Sequence, residues 1–335
     1  MFRISAATLC LAGLIITPAW ADDTHSLLTP DSHGPIGVMG DHTHKAGEIM
    51  VSYRYMQMDM DGNREGDDEL SDQEVLQQFV VTPTRMTTTM HMFGLMHAPN
   101  DRVTMMFMLP FVHKEMDHIN RMGVRFTTRS SGIGDIKIAG LIKLGHNLHL
   151  NLGFAVPTGS IDQTDDNPAS GGNKVRLPYP MQIGSGSYEF RPGVTWTGQS
   201  GRWSWGAQGS YVARLDENDN GYTLGDELNF TGWGAARLSP NASVSLRLNY
   251  KDWDNIDGED DLLRNVPDQF IPTVREDLRG GERIDVGVGV NLVGRQGALH
   301  GHRLAIEYLT PIDQDLDGPQ LQSDGMLTIG WQYSK

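Results

Sequence analysis

Apolar side chains recur at every second position along most of the chain, from about residue 47 to the C-terminus. The clearest run extends from Ile284 to Leu292, where branched apolar residues alternate with aspartate, glycine and asparagine. Successive side chains of a β-strand point to opposite faces, so a period of two indicates strands with one apolar and one polar face. Similar runs cover 148–156, 244–250 and 327–333. The pattern therefore predicts an all-β protein.

The length and number of these segments indicate a membrane barrel. Most exceed the roughly 5–6 residues of a typical soluble strand, and their length suits strands that cross a membrane at a tilt. Twelve segments are predicted, near 47–60, 83–97, 102–113, 132–144, 147–158, 184–198, 202–214, 226–238, 241–253, 281–294, 301–312 and 323–333. Strand-edge amides find no partner in hydrocarbon, so membrane strands must close into a ring. We predict a single antiparallel transmembrane β-barrel of about twelve strands.

The connections between the predicted strands alternate between short and long. The short ones lie at 98–101, 145–146, 199–201 and 240, and the long, acidic ones at 61–82, 114–131, 159–183, 215–225, 254–280 and 313–322. Outer-membrane barrels have short periplasmic turns and longer extracellular loops. The alternative is a soluble β-sandwich or a lipocalin-like barrel with an apolar interior, but its hairpins would not confine long loops to one end.

On this assignment the apolar face of each strand contacts lipid and the polar face lines the lumen. The lumen then carries charges of both signs, from Arg54, Asp135, Lys137, Lys143, Glu189, Arg191, Arg247, Lys251, Asp285, Arg303 and Glu307, together with Asn151. Mixed charges of this kind usually form satisfied networks across a narrow barrel. By themselves they do not indicate a path for a substrate.

Residues 1–21 have the order of a secretory signal peptide. Arg3 precedes an apolar run over 4–16, and Ala19-Trp-Ala21 supplies small residues before a cleavage site. No later stretch reaches the roughly 20 apolar residues of a membrane-spanning helix. We therefore expect export to the bacterial outer membrane, with a signal peptide at 1–21, a periplasmic N-terminal segment at 22–46 and the barrel at 47–335.

The amino-acid composition limits the classes of partner that the protein is expected to bind. Acidic side chains outnumber basic ones by 42 to 27, and the formal net charge of −15 argues against nucleic acid as a partner. Cys10 lies in the predicted leader and is the one cysteine, so the exported protein would have no disulfide. Outer-membrane lipid and a small-molecule or metal solute are the expected partners, and the sequence does not indicate an oligomeric state.

Several phrases of the sequence resemble a known family. They are Ser131-Gly-Ile-Gly-Asp-Ile-Lys-Ile138, Phe154-Ala-Val-Pro-Thr-Gly-Ser160 and Ala98-Pro-Asn-Asp-Arg102, while His33 to His44 and Leu177 to Gly186 look like features of a subgroup. Glycines permit tight entry into a strand, and Pro-Thr-Gly turns the chain into a loop. Over most of 47–335 the chain resembles outer-membrane proteins named for the meta pathway of phenol degradation and often labelled transporters. The resemblance implies a barrel that passes small molecules, hydrophobic ones among them, and it supplies no catalytic residues.

Methionine and histidine concentrate near the N-terminal end of the barrel. Of 17 methionines, all except Met1, Met181 and Met326 lie between Met39 and Met122. Thioether and imidazole together suit Cu(I), and imidazole also suits Cu(II), so copper is the one cofactor that the sequence suggests. The candidate metal ligands are His42, His44, Met90, His91, Met92, Met96, Met106 and Met108. The alternative is that methionine serves as a flexible apolar filler.

The sequence favours a non-enzymatic role. No serine–histidine–aspartate or metal-hydrolase motif stands out, and we predict neither catalytic nor organic-cofactor-binding residues. The predicted function is an outer-membrane channel or transporter-like protein for small molecules. One alternative is the handling of copper or another soft metal, which requires the methionine and histidine side chains to meet inside the barrel. A loop-rim enzyme is the other alternative, and it needs a convergent polar constellation on the extracellular side.

Overall fold

The computed structural model describes residues 29–335, so the signal peptide predicted at 1–21 lies outside the described residues. The strands are β1 (Ile49–Gly66), β2 (Asp68–Leu70), β3 (Val81–Asn100), β4 (Val103–Asn120), β5 (Arg125–Ile133), β6 (Ile136–Lys143), β7 (Leu148–Val156), β8 (Thr164–Asp165), β9 (Val175–Arg176), β10 (Glu189–Ser200), β11 (Trp203–Arg214), β12 (Tyr222–Thr223), β13 (Glu227–Ser239), β14 (Ala242–Trp253), β15 (Asp257–Gly258), β16 (Gly281–Val293) and β17 (His302–Ser334). Helix α1 (Asp72–Gln78) and 3-10 turns at Tyr179–Met181, Pro272–Val274, Glu276–Leu278 and Gly297–Leu299 complete the regular structure of this range. Within it, no helix has the length and apolar character that a membrane span requires.

The long strands form one closed antiparallel ring. Its order is β1-β3-β4-β6-β7-β10-β11-β13-β14-β16-β17, and β17 pairs again with β1. Strand β17 crosses the barrel twice, because residues 303–316 pair with β16 and residues 316–334 pair with β1. The eleven strand elements of the ring thus supply twelve crossings, and β2 and β5 join outside it. The predicted all-β antiparallel barrel is confirmed.

The two faces of the wall differ as the alternation predicted. On β14, Leu246 and Leu248 are 60% and 54% exposed, whereas Arg247 and Asn249 are buried in the interior. The same alternation exposes the apolar residues of the other strands in a belt around the outside. A belt of this kind is the surface that a membrane barrel turns toward lipid.

The two ends of the ring also differ. At one end, which we call the turn end, neighbouring strands are joined by short turns at 101–102, 144–147, 201–202 and 240–241. At the other, which we call the loop end, lie the long connections 157–188, 215–226 and 254–280. The chain finishes at the turn end, where the Ile49 N–H donates to the carbonyl of Lys335 at 2.9 Å. The predicted asymmetry of the connections is therefore present.

Three predicted loops are instead extensions of strands at the loop end. Strand β1 continues to Gly66, β4 continues to Asn120 and pairs with β5, and β17 runs through the predicted loop 313–322. The acidic composition of these stretches suggested loops. Outside a membrane, however, a strand needs no apolar face, and backbone pairing continues there.

Sequence reasoning also missed helix α1. It begins with a capping box, in which Ser71 Oγ accepts from the Glu74 N–H at 3.3 Å and the Glu74 carboxylate accepts from the Ser71 N–H at 2.9 Å. At its other end, Arg121 Nε donates to the carbonyls of Leu76 and Phe79, both at 2.8 Å. A helix this short depends on such contacts because it has little stability alone.

Candidate functional site

Residues 29–46, which we call the N-terminal segment, lie inside the ring at the turn end. Ile36 and Val38 are 2% and 3% exposed, and an ideal Cβ built on Gly330 of β17 would lie 2.5 Å from the Ile36 side chain. The sequence assigned this stretch to the periplasmic N-terminal part of the chain without indicating contact with the barrel interior. Charged residues that the alternation predicted to face the lumen make this contact with the N-terminal segment.

Glu307 on β17 holds the middle of the segment. Its carboxylate accepts a 2.7 Å hydrogen bond from the Gly37 N–H and lies 3.2 Å from Arg247 Nη1 on β14. An ideal Cβ on Gly37 would lie 2.3 Å from Glu307 Oε2 and 2.4 Å from Arg247 Nη1, so a glycine is needed at this close approach. One buried carboxylate therefore joins two wall strands to the segment.

Gly40 is a second fixed point. Its carbonyl oxygen lies 2.8 Å from His149 Nε2 on β7, and Gln208 on β11 donates to the carbonyl of Met39 at 2.9 Å. Gly40 has a φ of +62°, in the left-handed region that glycine adopts without strain. The turn directs both carbonyls toward the wall, so the segment is also bound from the side of β7 and β11.

The beginning of the segment is held by β14 and β17. Ser243 Oγ donates to the carbonyl of Pro30 at 2.7 Å, and Arg303 Nη2 donates to the carbonyl of Gly34 at 2.8 Å. Backbone carbonyls inside the barrel are thus paired with polar side chains of the wall, as buried carbonyls require. Contacts from opposite sides of the ring keep the segment across the lumen.

A cavity of about 550 Å³, which we call the chamber, lies inside the ring toward the loop end. One side, which we call the methionine wall, consists of Met58, Met60, Met86, Met90 and Met116 on β1, β3 and β4. Another part of the lining, which we call the charged wall, consists of Lys137, Glu189, Arg191, Arg214 and Glu227 on β6, β10, β11 and β13. The chamber therefore offers soft apolar contact on one part of its lining and fixed charges on another.

The charged wall contains a cation without a partner. Arg191 Nη1 donates to Glu189 at 2.6 Å, and Arg214 binds Glu189 and, at 3.2 Å, Glu227. Lys137 has neither a hydrogen bond nor an ion pair with any residue in the described range 29–335, although it lines the chamber. Lys137 is partly exposed and no anion of the described range is paired with it, so its side chain is available to an anion bound in the chamber.

Part of the connection 157–188 covers the chamber. Lys114 Nζ donates to the carbonyls of Pro180 and Gln182 at 2.7 and 2.6 Å, and Ser130 Oγ donates to the carbonyl of Met181 at 2.6 Å. These residues come from β4 and β5. The strand extensions that the sequence did not predict therefore support the cover.

Asp135 fixes both ends of this cover. It lies at the break between β5 and β6, and its carboxylate accepts from the N–H groups of Gly159 and Ser185 at 2.9 and 2.8 Å. An ideal Cβ on Gly159 would lie 2.6 Å from Gly184 Cα, so the backbones meet closely. Three phrases that the sequence singled out thus converge on one carboxylate, and their shared role is to hold the cover.

The structure groups all five predicted thioether ligands. Met92, Met96, Met106 and Met108 are buried together and Met90 packs against them; we call this group, with Met39, Met50 and Met56, the methionine cluster. The structure does not place His91 with them, because neighbouring side chains of a strand point to opposite faces and His91 therefore points outward. There its Nδ1 lies 2.7 Å from the Tyr53 hydroxyl.

His42 and His44 belong to a different group, in the N-terminal segment. With His33 and Asp41 they line a cavity of about 380 Å³ at the turn end, whose described lining contains no methionine. The predicted metal ligands are therefore split between two places. His33 was absent from the predicted set, although it opens the histidine-containing phrase of the sequence.

Burial sets the protonation of His33 and His44 in this second group. It lowers the pKa of His33 well below the ordinary 6.5 and, with the neighbouring His42, lowers the pKa of His44 to about 3. Both imidazoles are therefore neutral near pH 7. The neutral imidazole is the form that has a free lone pair for a ligand.

Comparison with known proteins supplies the fold and the family. The structure is similar to the COG4313 outer membrane channel from Pseudomonas putida F1, with a TM-score of 0.63 and 13% identity over 90% of this chain and 100% of that one. It also aligns with a FadL homologue of Pseudomonas aeruginosa, with a TM-score of 0.41 and 9% identity over 86% and 89%. None of the curated proteins matches the chain. The model of the family described as "Putative MetA-pathway of phenol degradation" matches residues 71–292, more than half of the chain, and the chain therefore belongs to this family, as its phrases predicted.

Proposed function

We propose that this protein is a non-enzymatic outer-membrane channel for small molecules that combine an apolar part with a negative charge. The observation that carries the proposal is the chamber, where the methionine wall and the unpaired Lys137 line one space of about 550 Å³. The barrel fold and the apolar outer belt support the location.

The two walls fit different parts of one solute. Thioether side chains are flexible and polarisable and contact aromatic rings favourably. Ammonium and guanidinium groups bind carboxylates by charge-assisted hydrogen bonds. An aromatic carboxylate such as benzoate satisfies both requirements and is small enough for the chamber.

Passage beyond the chamber depends on the N-terminal segment. The segment crosses the lumen at the turn end and is hydrogen-bonded to the wall on several sides. A solute that enters from the loop end therefore meets it next. We infer that the segment is the gate of the channel and that its displacement limits the flux.

The first test is benzoate binding by the purified protein in detergent, measured by calorimetry. We expect Lys137→Gln to weaken binding about tenfold, since a hydrogen bond to a charged group contributes about 1.5–3 kcal/mol. Benzyl alcohol, which has the ring without the charge, should bind the two proteins equally. Lys174→Gln, which changes an exposed lysine on a loop outside the chamber, is the matched control.

The second test is benzoate flux into liposomes that contain the protein. Flux above that of empty liposomes, and lower in Lys137→Gln than in Lys174→Gln, is the expected result. A protein that neither binds nor passes benzoate would contradict the proposed solute class. If only uncharged solutes pass, the protein is a channel but does not have the proposed preference for anions.

A second candidate function is Cu(I) handling by the methionine cluster. The observation in its favour is that Met92, Met96, Met106 and Met108 are buried side by side, which places several thioethers within one small volume. The test is anaerobic Cu(I) binding by the wild type and by a variant with Met90, Met92, Met96, Met106 and Met108 changed to leucine. Leucine keeps the volume nearly constant. Loss of binding supports the candidate, and equal binding assigns these methionines to packing.

A further inference from the structure

Two histidines and an aspartate of the N-terminal segment bring ligand-type atoms close together. One atom each from His33, Asp41 and His42 lies within 4.8 Å of the other two. The rings of His33 and His42 meet edge to face at 4.0 Å, and the ring of His44 lies 4.9 Å from that of His42. His33 and Asp41 are each only 4% exposed. The segment thus gathers three imidazoles and a carboxylate in a buried position.

Each of these imidazoles has a ring nitrogen without a hydrogen-bond partner among the described residues. The nitrogens are Nδ1 of His33, Nε2 of His42 and Nε2 of His44. A buried polar atom that lacks a partner costs about 1–3 kcal/mol, and natural structures keep few of them. A cation that accepts lone pairs can satisfy nitrogens of this kind.

Carboxylates orient two of the three rings. His42 Nδ1 lies 2.9 Å from Asp41 Oδ1, and His44 Nδ1 lies 3.3 Å from Glu48 Oε2. The tautomer that donates from Nδ1 to the carboxylate leaves the Nε2 lone pair of each ring for a ligand. Metal-binding histidines are commonly oriented by a carboxylate on their other nitrogen in this way.

The nearby guanidinium of Arg303 does not compete for the aspartate. It donates to the carbonyl of Gly34 and to the side chains of Asn291 and Gln332, at 2.8, 2.6 and 2.6 Å. Asp41 instead accepts from the Gly34 N–H at 2.7 Å through Oδ2. Its negative charge therefore remains close to the imidazoles.

We propose that His33 and His42, with His44 as a further donor and Asp41 as the carboxylate that orients His42, form a binding site for a divalent first-row transition-metal ion. Imidazole nitrogen suits Cu²⁺ and Zn²⁺, and the general order of affinities places Cu²⁺ above Zn²⁺. The site differs from the methionine cluster in its ligands and in the oxidation state of the metal that it selects. It is reached from the turn end through the cavity of about 380 Å³ that these residues line.

Metal binding at this site strengthens the hold of the segment. The ligands His33 and His42 lie on either side of the stretch 34–41, which contains Gly37 and Gly40, the points of contact with the wall. One ion joins both ends of this stretch and closes it as a loop. An ion that binds the seated segment better than the displaced one shifts the equilibrium toward the seated state.

The test is metal binding by the full-length exported protein, without a histidine tag, in detergent. Cu²⁺ and Zn²⁺ are titrated separately into the wild type, His33→Ala/His42→Ala, Asp41→Asn and the control His97→Ala. His97 is an exposed histidine near the same end of the barrel. We expect one ion per chain in the wild type and in the control, loss in the double variant, and 10- to 100-fold weaker binding in Asp41→Asn.

Two further readouts keep the test decisive if the double variant does not fold. The electron paramagnetic resonance spectrum of the Cu²⁺-loaded wild type should show hyperfine coupling to more than one nitrogen. Cu²⁺ should also slow the cleavage of the wild type by trypsin at the exposed Lys45. A spectrum without nitrogen coupling, or equal binding by the wild type and the double variant, overturns the site. Benzoate binding is measured separately and does not depend on this result.

Discussion

Arg237 on β13 binds Asp31 of the N-terminal segment through two hydrogen bonds, from Nε at 2.7 Å and from Nη2 at 3.1 Å, across 206 residues of sequence. Gln199 on β10 donates a third hydrogen bond to the same carboxylate at 3.0 Å. Asp31 is 2% exposed, so water compensates little of its charge. These donors fix the point at which the segment begins inside the ring.

The first prediction concerns this pair. Arg237→Ala leaves the buried carboxylate of Asp31 without its cation and should destabilise the seated segment by about 2 kcal/mol, below the range for fully buried pairs because Arg237 is partly exposed. We expect higher conductance in planar bilayers and faster trypsin cleavage at Lys45. Arg202→Ala is the control, since Arg202 lies over Trp203 at a turn. Unchanged conductance would show that the segment is not the gate.

The second prediction concerns ion selectivity. Glu189→Gln removes the carboxylate that Arg191 and Arg214 share, which leaves the charged wall with a larger excess of positive charge. We expect the reversal potential in a salt gradient to shift toward anion selectivity. Glu115→Gln changes a carboxylate that pairs with Arg129 outside the chamber and should have no such effect. Equal shifts in both variants would mean that the chamber does not set selectivity.

The third prediction tests which surface faces lipid. Leu246 near the middle of β14 is 60% exposed, and Leu262 in the connection 254–280 is 62% exposed. Arginine near the bilayer midplane costs a barrel about 2–4 kcal/mol. Leu246→Arg should therefore lower folding stability in bilayers by about this amount, as measured by urea titration, whereas Leu262→Arg should change it little. Equal effects would contradict the assigned membrane belt.

The fourth prediction concerns acid and the cover of the chamber. Hydrogen bonds from Arg176 and Asn220 lower the pKa of Asp162 below its ordinary 3.8, and the bond from Asn220 joins the connections 157–188 and 215–226. Because the pKa is lowered in the folded state, the stabilisation is fully present above pH 3.8 and is lost as the pH falls through the lowered value.

Hydrogen exchange of the 157–188 connection, corrected for the intrinsic effect of pH, measures this change. Protection should fall below pH 3.8 in the wild type. Asp162→Asn should have lower protection near pH 7 and a weaker dependence on pH in the acid range. The same acid response in both proteins would exclude Asp162 as its cause.

The sequence predicted the wall of the barrel well. Alternate side chains of a membrane strand face lipid and lumen, so apolar and polar residues alternate along it. Leu246 and Leu248 facing outward and Arg247 and Asn249 facing inward follow directly from that period. The loop end was predicted less well. Once a strand leaves the membrane its faces no longer differ, so composition could not distinguish the extensions of β4 and β17 from loops.

The sequence predicted the residue types of the candidate site. It did not predict how these residues are arranged in space. The alternation along the strands sufficed to place Met92 and Met106 inside the barrel. The same alternation turns His91 outward, which would have removed it from the candidate metal ligands. The meeting of Gly159 and Ser185 on Asp135 is a contact between distant parts of the chain, and no local pattern encodes it.

By itself, the sequence determined that the chain forms a closed antiparallel barrel with an apolar outside, a charged lumen and unequal ends. Local periodicity and the lengths of the connections were sufficient to predict each of these features. Only the tertiary structure decided what the lumen contains. The N-terminal segment has no period of its own, and its position depends on partners such as Glu307 and Arg237 that lie more than two hundred residues away. Its place inside the ring, and the grouping of His33 with Asp41 and His42 that follows from it, exist only when those distant side chains satisfy its buried backbone and charges.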